Sequence, residues 1–415
     1  MKGWVEMTRY WFLAAVLVVG CSESDDPSGN GGTDMSGGNS GPVDTGSRDM
    51  AGGPADSGMG ATDMGGGGDF YVPVEPTNER GPGRVNGCCA HRVGLAVGSD
   101  GEARMVGSRR RSGRTSLWFG TRSGGMWTDE EVSEAPSISP PGELTAMALG
   151  PDDSPHILYI DSVGPNFVLH YARRAGDSWE GSPVADDALI GNGFADFDIA
   201  VGGDGTVHVV FFDEGTLSAR YARWNGTAFD VSEIEAPADG DQLGEFARIA
   251  LADDGTLHVS YLAQVSGTPV LRHAEGPAPW TVEDVPGMGK GVHGTILVDE
   301  SVVHIVSTDL RSMRARGIYW SRREGTSWTE TEIDPEAAIV EMDAALDPMG
   351  RVHVAPSVSF GAAGRFFYYY PTASGSYDNF RSSAPPGDAP ESVAIIMNAM
   401  GIPRIAVPNG FLVFE

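Results

Sequence analysis

Ile199-Ala200-Val201-Gly202-Gly203-Asp204-Gly205-Thr206-Val207-His208-Val209-Val210-Phe211-Phe212 is the stretch that decides the fold. Two apolar runs flank an Asp-Gly turn, and that dipeptide suits the left-handed backbone of a tight β-hairpin. The basic residue opening the second run, His208, recurs as Arg104, His156, His258, His304, His353 and Arg404. Successive markers lie 52, 52, 50, 46, 49 and 51 residues apart. Before each stands a short apolar run, as in Leu95-Ala96-Val97, Met147-Ala148-Leu149, Ile249-Ala250-Leu251, Ile296-Leu297-Val298, Ala344-Ala345-Leu346 and Ile395-Ile396-Met397. A third run follows, seen in Leu169-His170-Tyr171. An aromatic 21 to 24 residues after the marker then opens a fourth: Trp127, Trp179, Phe229, Trp280, Trp328 and Tyr377.

Four strands in a period near fifty residues is the size of one propeller blade. The expected fold is therefore all-β: a seven-bladed β-propeller of four-stranded antiparallel blades over residues 69–415. The seventh copy ends at Glu415, eleven residues past Arg404, before a fourth strand. Asp69-Phe70-Tyr71-Val72-Pro73-Val74-Glu75 has the aromatic and the alternation to supply it. Pairing the two chain ends would close the ring and leave no exposed sheet edge.

The turn before the fourth strand reads Ser321-Arg322-Arg323-Glu324-Gly325-Thr326-Ser327-Trp328, with less complete versions ending at Trp127, Trp179 and Phe229. It resembles a degenerate Asp-box of the sialidase-like and BNR-type propellers, with Arg122, Arg174, Trp224 and Arg323 at the aspartate position. In that family the box stabilises a turn away from the catalytic face, so the resemblance implies fold. Sialidases further require three arginines converging on a carboxylate, a tyrosine nucleophile with a glutamate partner, and an acid aspartate. No spacing here singles out such a set, and seven blades differ from their six.

Residues 1–20 have the anatomy of a signal peptide: Lys2 and Arg9 precede the apolar run Tyr10 to Gly20, which is too short to span a bilayer. Val18-Val19-Gly20-Cys21 resembles the lipobox of bacterial lipoproteins. That resemblance implies cleavage before Cys21, its acylation by palmitate-type chains, and, with Ser22 following, export to the outer membrane. Residues 21–68 repeat Thr33-Asp34-Met35, Arg48-Asp49-Met50 and Thr62-Asp63-Met64 among glycines, and such a segment lacks the apolar surface to fold. As a Gly-rich tether it reaches ~40 Å.

A formal net charge of -29 with only Lys2 and Lys290 as lysines excludes a nucleic-acid partner, which needs clustered cations to displace counterions. No cofactor and no metal site is expected. Cys88 and Cys89 are adjacent in an exported chain; a structural vicinal disulfide, a ligand-contacting one, and a metal or free-thiol pair stay open. His156, His208, His258, His304 and His353 recur once per blade, as packing residues do, and so do Trp127, Trp179, Trp280 and Trp328. Candidate ligand contacts are the basic loops Arg109-Arg110-Arg111 with Arg114, and Arg311, Arg314 and Arg316, since arginine forks match carboxylates. The bland alternative is solvated charge offset by Asp196, Asp198, Asp239 and Asp241 in neighbouring connections. Three functions follow. A surface binding module for a glycan or protein stands first, a sialidase-like glycosidase acting on acidic sugars second, and an envelope assembly scaffold third. Oligomeric state is not readable.

Overall fold

The computed structural model describes residues 77–79, 94–111, 114–133, 145–163, 166–185, 190, 197–311, 314–360, 363–381, 393–407 and 410–413. The expected signal peptide and tether, Cys21, Cys88 and Cys89 lie outside these residues.

The described chain is built of strands. First comes β1 (Thr77–Glu79), and then β2 (Gly94–Val97), β3 (Ala103–Arg111), β4 (Arg114–Ser123) and β5 (Met126–Ser133) form one sheet. β6 (Thr145–Leu149), β7 (Pro155–Val163), β8 (Asn166–Ala175) and β9 (Ser178–Pro183) form the next. A third holds β10 (Phe197–Val201), β11 (Val207–Asp213), β12 (Ser218–Trp224) and β13 (Phe229–Glu233). A fourth holds β14 (Gln242–Leu251), β15 (Leu257–Val265), β16 (Thr268–Gly276) and β17 (Thr281–Val285). A larger sheet runs β18 (Val292–Asp299), β19 (Val302–Arg311), β20 (Arg314–Glu324), β21 (Ser327–Leu346), β22 (Val352–Phe360), β23 (Ala363–Pro371) and β24 (Tyr377–Arg381). In the last, β25 (Ala394–Met397), β26 (Pro403–Val407) and β27 (Gly410–Val413) are joined by β1. Pairing is antiparallel throughout. This is a β-propeller of four-stranded antiparallel blades.

One expectation is corrected. Hydrogen bonding gives six sheets among the described residues, where the repeat predicts seven. The cause is the 20-residue β21, which pairs with β20 as far as Ala338 and with β22 from Ile339 onward, with no turn between. The chain-end strand is Thr77–Glu79, which pairs with Val413, Leu412 and Phe411. Asp69–Glu75 lies outside the described residues.

The core lies between successive sheets. In β11, Val207, Val209 and Phe211 pack on the preceding sheet with Leu158 and Tyr171, while Val210 packs on the following one with Ile249 and Tyr261. Both faces are buried, so the run is apolar throughout instead of alternating with polar residues. The fourth-strand aromatics each pack toward the preceding unit: Trp179 beside Phe119, Trp280 beside Tyr221, and Trp328 beside Leu271. Sheets approach closely enough that Gly244, at φ +123, leaves no room for a side chain: an added Cβ would lie 2.7 Å from the Ala219 Cα.

The hairpin turn works as its sequence suggests. Asp204 Oδ1 accepts the Thr206 N–H at 2.9 Å, and Gly205 takes φ 79. Asp100, Asp152 and Asp254 repeat the bond with Glu102, Ser154 and Thr256.

Candidate functional site

The first strands β2, β6, β10, β14, β18 and β25, with the second half of β21, touch one another in succession, and β25 touches β2. On each, the residue paired with the second residue past the marker lines a common cavity: Gly94, Ala146, Asp198, Arg248, Thr295, Asp343 and Ala394. The cavity measures about 70 Å³. One arc is small and apolar, with Gly94, Ala146 and Ala394. The other carries two carboxylates, a guanidinium and a hydroxyl.

The carboxylates staple blade to blade. Asp198 Oδ2 accepts the Ile249 N–H at 3.2 Å. Asp343 accepts Thr295 Oγ1–H at 3.0 Å with one oxygen and the Ile395 N–H at 3.0 Å with the other. These carboxylates are half-buried, and the donors offset the desolvation that even partial burial brings. Asp198 thus stands on a first strand, bonded to its neighbour, and not in a solvated connection.

Within a blade the strands alternate in direction, so every first strand begins at the edge where the second-to-third hairpins turn. At this loop edge Phe246 and His293 hold φ values of 56 and 48. The left-handed region is uncommon for a bulky aromatic such as Phe, though His enters it more often. Their ring centroids are 5.3 Å apart at 60°. His293 Nδ1 lies 3.3 Å from Glu341 Oε2, and Glu341 also lines the axial cavity. The Glu341 N–H donates to Ser357 Oγ at 3.2 Å, which fixes that backbone. The residue before Phe246 is Glu245, whose carboxyl burial pushes up to about 7, helped by the nearby Glu214 charge. Gln242 Nε2 donates to Glu245 Oε1 at 2.8 Å.

The basic loops fall on the same edge. Arg109, Arg110 and Arg111 end β3, with Arg111 opposite Arg114, and Arg311 stands opposite Arg314 in the β19–β20 hairpin. The two hairpins belong to different sheets. Arg316 is exposed, 3.9 Å from Glu336. Of the offsetting acids, Asp241 accepts the Ser266 N–H at 2.8 Å, and Asp196 lies outside the described residues.

The marker histidines pair across to the third strand of their own blade. His156, His208 and His353 place Nδ1 at 2.5, 2.7 and 2.7 Å from the hydroxyls of Tyr171, Tyr221 and Tyr368. His258 Nδ1 meets His273 Nε2 at 3.1 Å, and His304 Nδ1 accepts Trp320 Nε1–H at 3.2 Å. Burial lowers the basicity of all five. At the eroded box positions, Arg174 bonds Glu130 of the preceding blade and Arg323 bonds Glu275 and Glu283 of its own predecessor. Arg122 holds Glu102 at 2.6 Å within its blade. Among the described residues no group of three or more His, Cys, Asp or Glu is placed to hold a metal ion.

Phe246, His293, Glu341 and the axial ring were not singled out by the sequence. The signal was present: ten residues before the marker, where three copies have Gly94, Ala146 and Ala394, three others carry Asp198, Arg248 and Asp343, with Thr295 one residue nearer its marker.

No family model matches the chain, and no curated protein matches it. Among solved structures it is similar to polysaccharide lyase Uly1, with a TM-score of 0.48 and 11% identity over 84% of this chain and 93% of that one. A Hadza microbial sialidase gives 0.47 and 12%, covering 76% and 73%. A six-bladed fucose-recognising lectin of the fungus Aleuria aurantia gives 0.44 and 13%, covering 71% and 97%. The propeller assignment rests on the strand order and register above.

Proposed function

We propose that this chain is a lipid-anchored binding module whose propeller presents its loop edge to a glycan or protein ligand. The observation that carries the binding reading is the left-handed backbone of Phe246 and His293 beside Glu341 at the end of the axial cavity. Each such residue costs about 1–3 kcal/mol, and folds retain that strain chiefly at ligand clamps and active sites.

In this reading the ring of blades is closed. Contact between β25 and β2 supports closure, as does the chain-end pairing of β1 with β27. Thr77 faces Val413, the last residue of β27, so β1 begins at the turn edge. The basic hairpins at Arg109 to Arg114 and Arg311 to Arg316 would flank the ligand.

A glycan array probed with the purified chain, with and without alanine at Arg109, Arg110 and Arg111, tests the reading. Binding weakened by the triple replacement assigns the hairpin a role; unchanged binding removes it. Binding to no saccharide and to no envelope protein sinks the module itself.

A sialidase-like glycosidase is the second reading, favoured by Glu245, whose carboxyl sits near 7 beside Glu214 as a general acid requires. Release of a chromogenic aglycone that Glu245→Gln abolishes would establish it.

A further inference from the structure

We infer that Met126, Met288, Met349 and Met400 are modification sites, each taking an oxygen atom from peroxide-class oxidants while the fold stands.

Among the described residues these four are the exposed large apolar side chains, at 74%, 44%, 60% and 77%. One exposed apolar residue is ordinary, but here all four are methionine, and sulfur is the property they share. Each sits in a tight turn beside glycine. Met126 heads β5 directly after Gly124 and Gly125, whose φ values are 56 and 81. Met288 stands between Gly287 and Gly289, and its N–H donates to Glu330 Oε2 at 2.8 Å. Met349 and Met400 precede Gly350 and Gly401, at φ 71 and 75. Their N–H groups donate to Asp347 Oδ1 at 2.9 Å and to Asn398 Oδ1 at 3.0 Å. These last two turns are neighbours, since a Cβ on Gly401 would lie 3.3 Å from Pro348 Cδ. Glycine and main-chain bonds hold the turns, so the thioethers reach into water with no core to fill.

The chemistry follows from that placement. A sulfur lone pair attacks one peroxide oxygen, the O–O bond breaks, and the proton of the attacked oxygen ends on the leaving one, which departs as water. Sulfur loses two electrons and the peroxide gains them. The sulfoxide is polar, and in an exposed turn water solvates it without disturbing any packing. Met105 and Met342, at 3% and 2% exposure, lie in the cores between sheets, where the oxidant has poor access and the same change would disrupt close packing.

The test treats the full chain with hydrogen peroxide, maps sulfoxide over time by peptide mass spectrometry, and follows the thermal midpoint in parallel. Sulfoxide should form at the four turn positions about tenfold or more faster than at Met105 and Met342, and the midpoint should hold while they fill. A variant combining Met126→Leu, Met288→Leu, Met349→Leu and Met400→Leu should melt with the parent before treatment and should lack the fast oxygen uptake at those positions. Met105 or Met342 keeping pace with the turn sites, or slow oxidation at the four, overturns the inference. So does a fall in the parent's midpoint on treatment that the leucine variant escapes, because the sulfurs would then have a packing role.

Discussion

His353 Nδ1 and Tyr368 Oη stand 2.7 Å apart on the second and third strands of one blade, with both side chains in the core. Tyr368→Phe removes the hydroxyl and leaves the imidazole nitrogen buried without it. Loss of a buried partner costs ~1–3 kcal/mol, so the urea midpoint of the variant should fall accordingly. A midpoint equal to the parent's would show the pair to be incidental.

Acid should weaken the fold well above the carboxylate range. Burial holds His304 at about 4 and His273 at about 3, against an ordinary 6.5. With folded values depressed, the stability these groups lend is fully present above pH 6.5 and drains away as pH falls toward 4 and then 3. Thermal midpoints should therefore drop through this window. His304→Gln, which cannot take the proton, should flatten the slope between pH 6 and 4.

Glu245 works in the opposite sense. Its folded value of about 7 exceeds the ordinary 4.5, so the native state keeps a proton that the unfolded chain releases. Stability falls as pH rises from 4.5 to 7 and then levels. Glu245→Gln should be more stable than the parent at pH 8 and nearly equal to it at pH 4, read by chemical denaturation at both.

Asp343 on β21 ties β18 and β25 together through Thr295 and Ile395. Replacing it with alanine strands two donors at the axis, and a cost of ~2–4 kcal/mol is expected. Thr295→Val breaks one of the two bonds and should cost less than half as much. Equal effects would place the energy in packing and not in the staple.

The clamp between Arg323 and Glu275 is weaker ground. The arginine is mostly covered, but the glutamate is 41% exposed, and water screens it. Arg323→Met should cost only ~1 kcal/mol, and a double-mutant cycle with Glu275→Gln should recover most of that. Glu275, now held below the usual carboxylate range by the guanidinium, should rise in the methionine variant by NMR titration.

The periodic part of this molecule was legible because most units repeat one local code: an apolar run, an Asp-anchored turn, a basic marker, and an aromatic opener. His208 and Phe229 sit where that code places them, the first on β11 and the second heading β13. What local code cannot carry is the relation between units. The stretch from Ser327 to Leu346 contains Asp334-Pro335, a pair that normally marks a break, yet the chain runs through it as one strand. The chain-end strand joins the last sheet as the repeat count requires, and its described pairing falls on Thr77, Asn78 and Glu79.

The candidate site was less legible still. Charged loops such as Arg109 to Arg111 are conspicuous in a sequence, whereas Phe246 reads as an ordinary strand aromatic. Only the fold reveals that its backbone is left-handed and that His293, 47 residues on, meets it. Axial polarity was hidden by dilution, with one residue in about fifty contributing. The repeat makes it visible only when the first strands are laid over one another and Asp198, Arg248, Thr295 and Asp343 fall in one column.

The unbroken β21 gives the molecule a mechanical grain. Force or thermal agitation has a three-residue latch to open at Thr77 to Glu79, but no hinge to work on between the sets of strands either side of β21. Those strands should breathe as a single plate. Whatever loosening the ring undergoes would then start far from them, where the two termini of the fold shake hands.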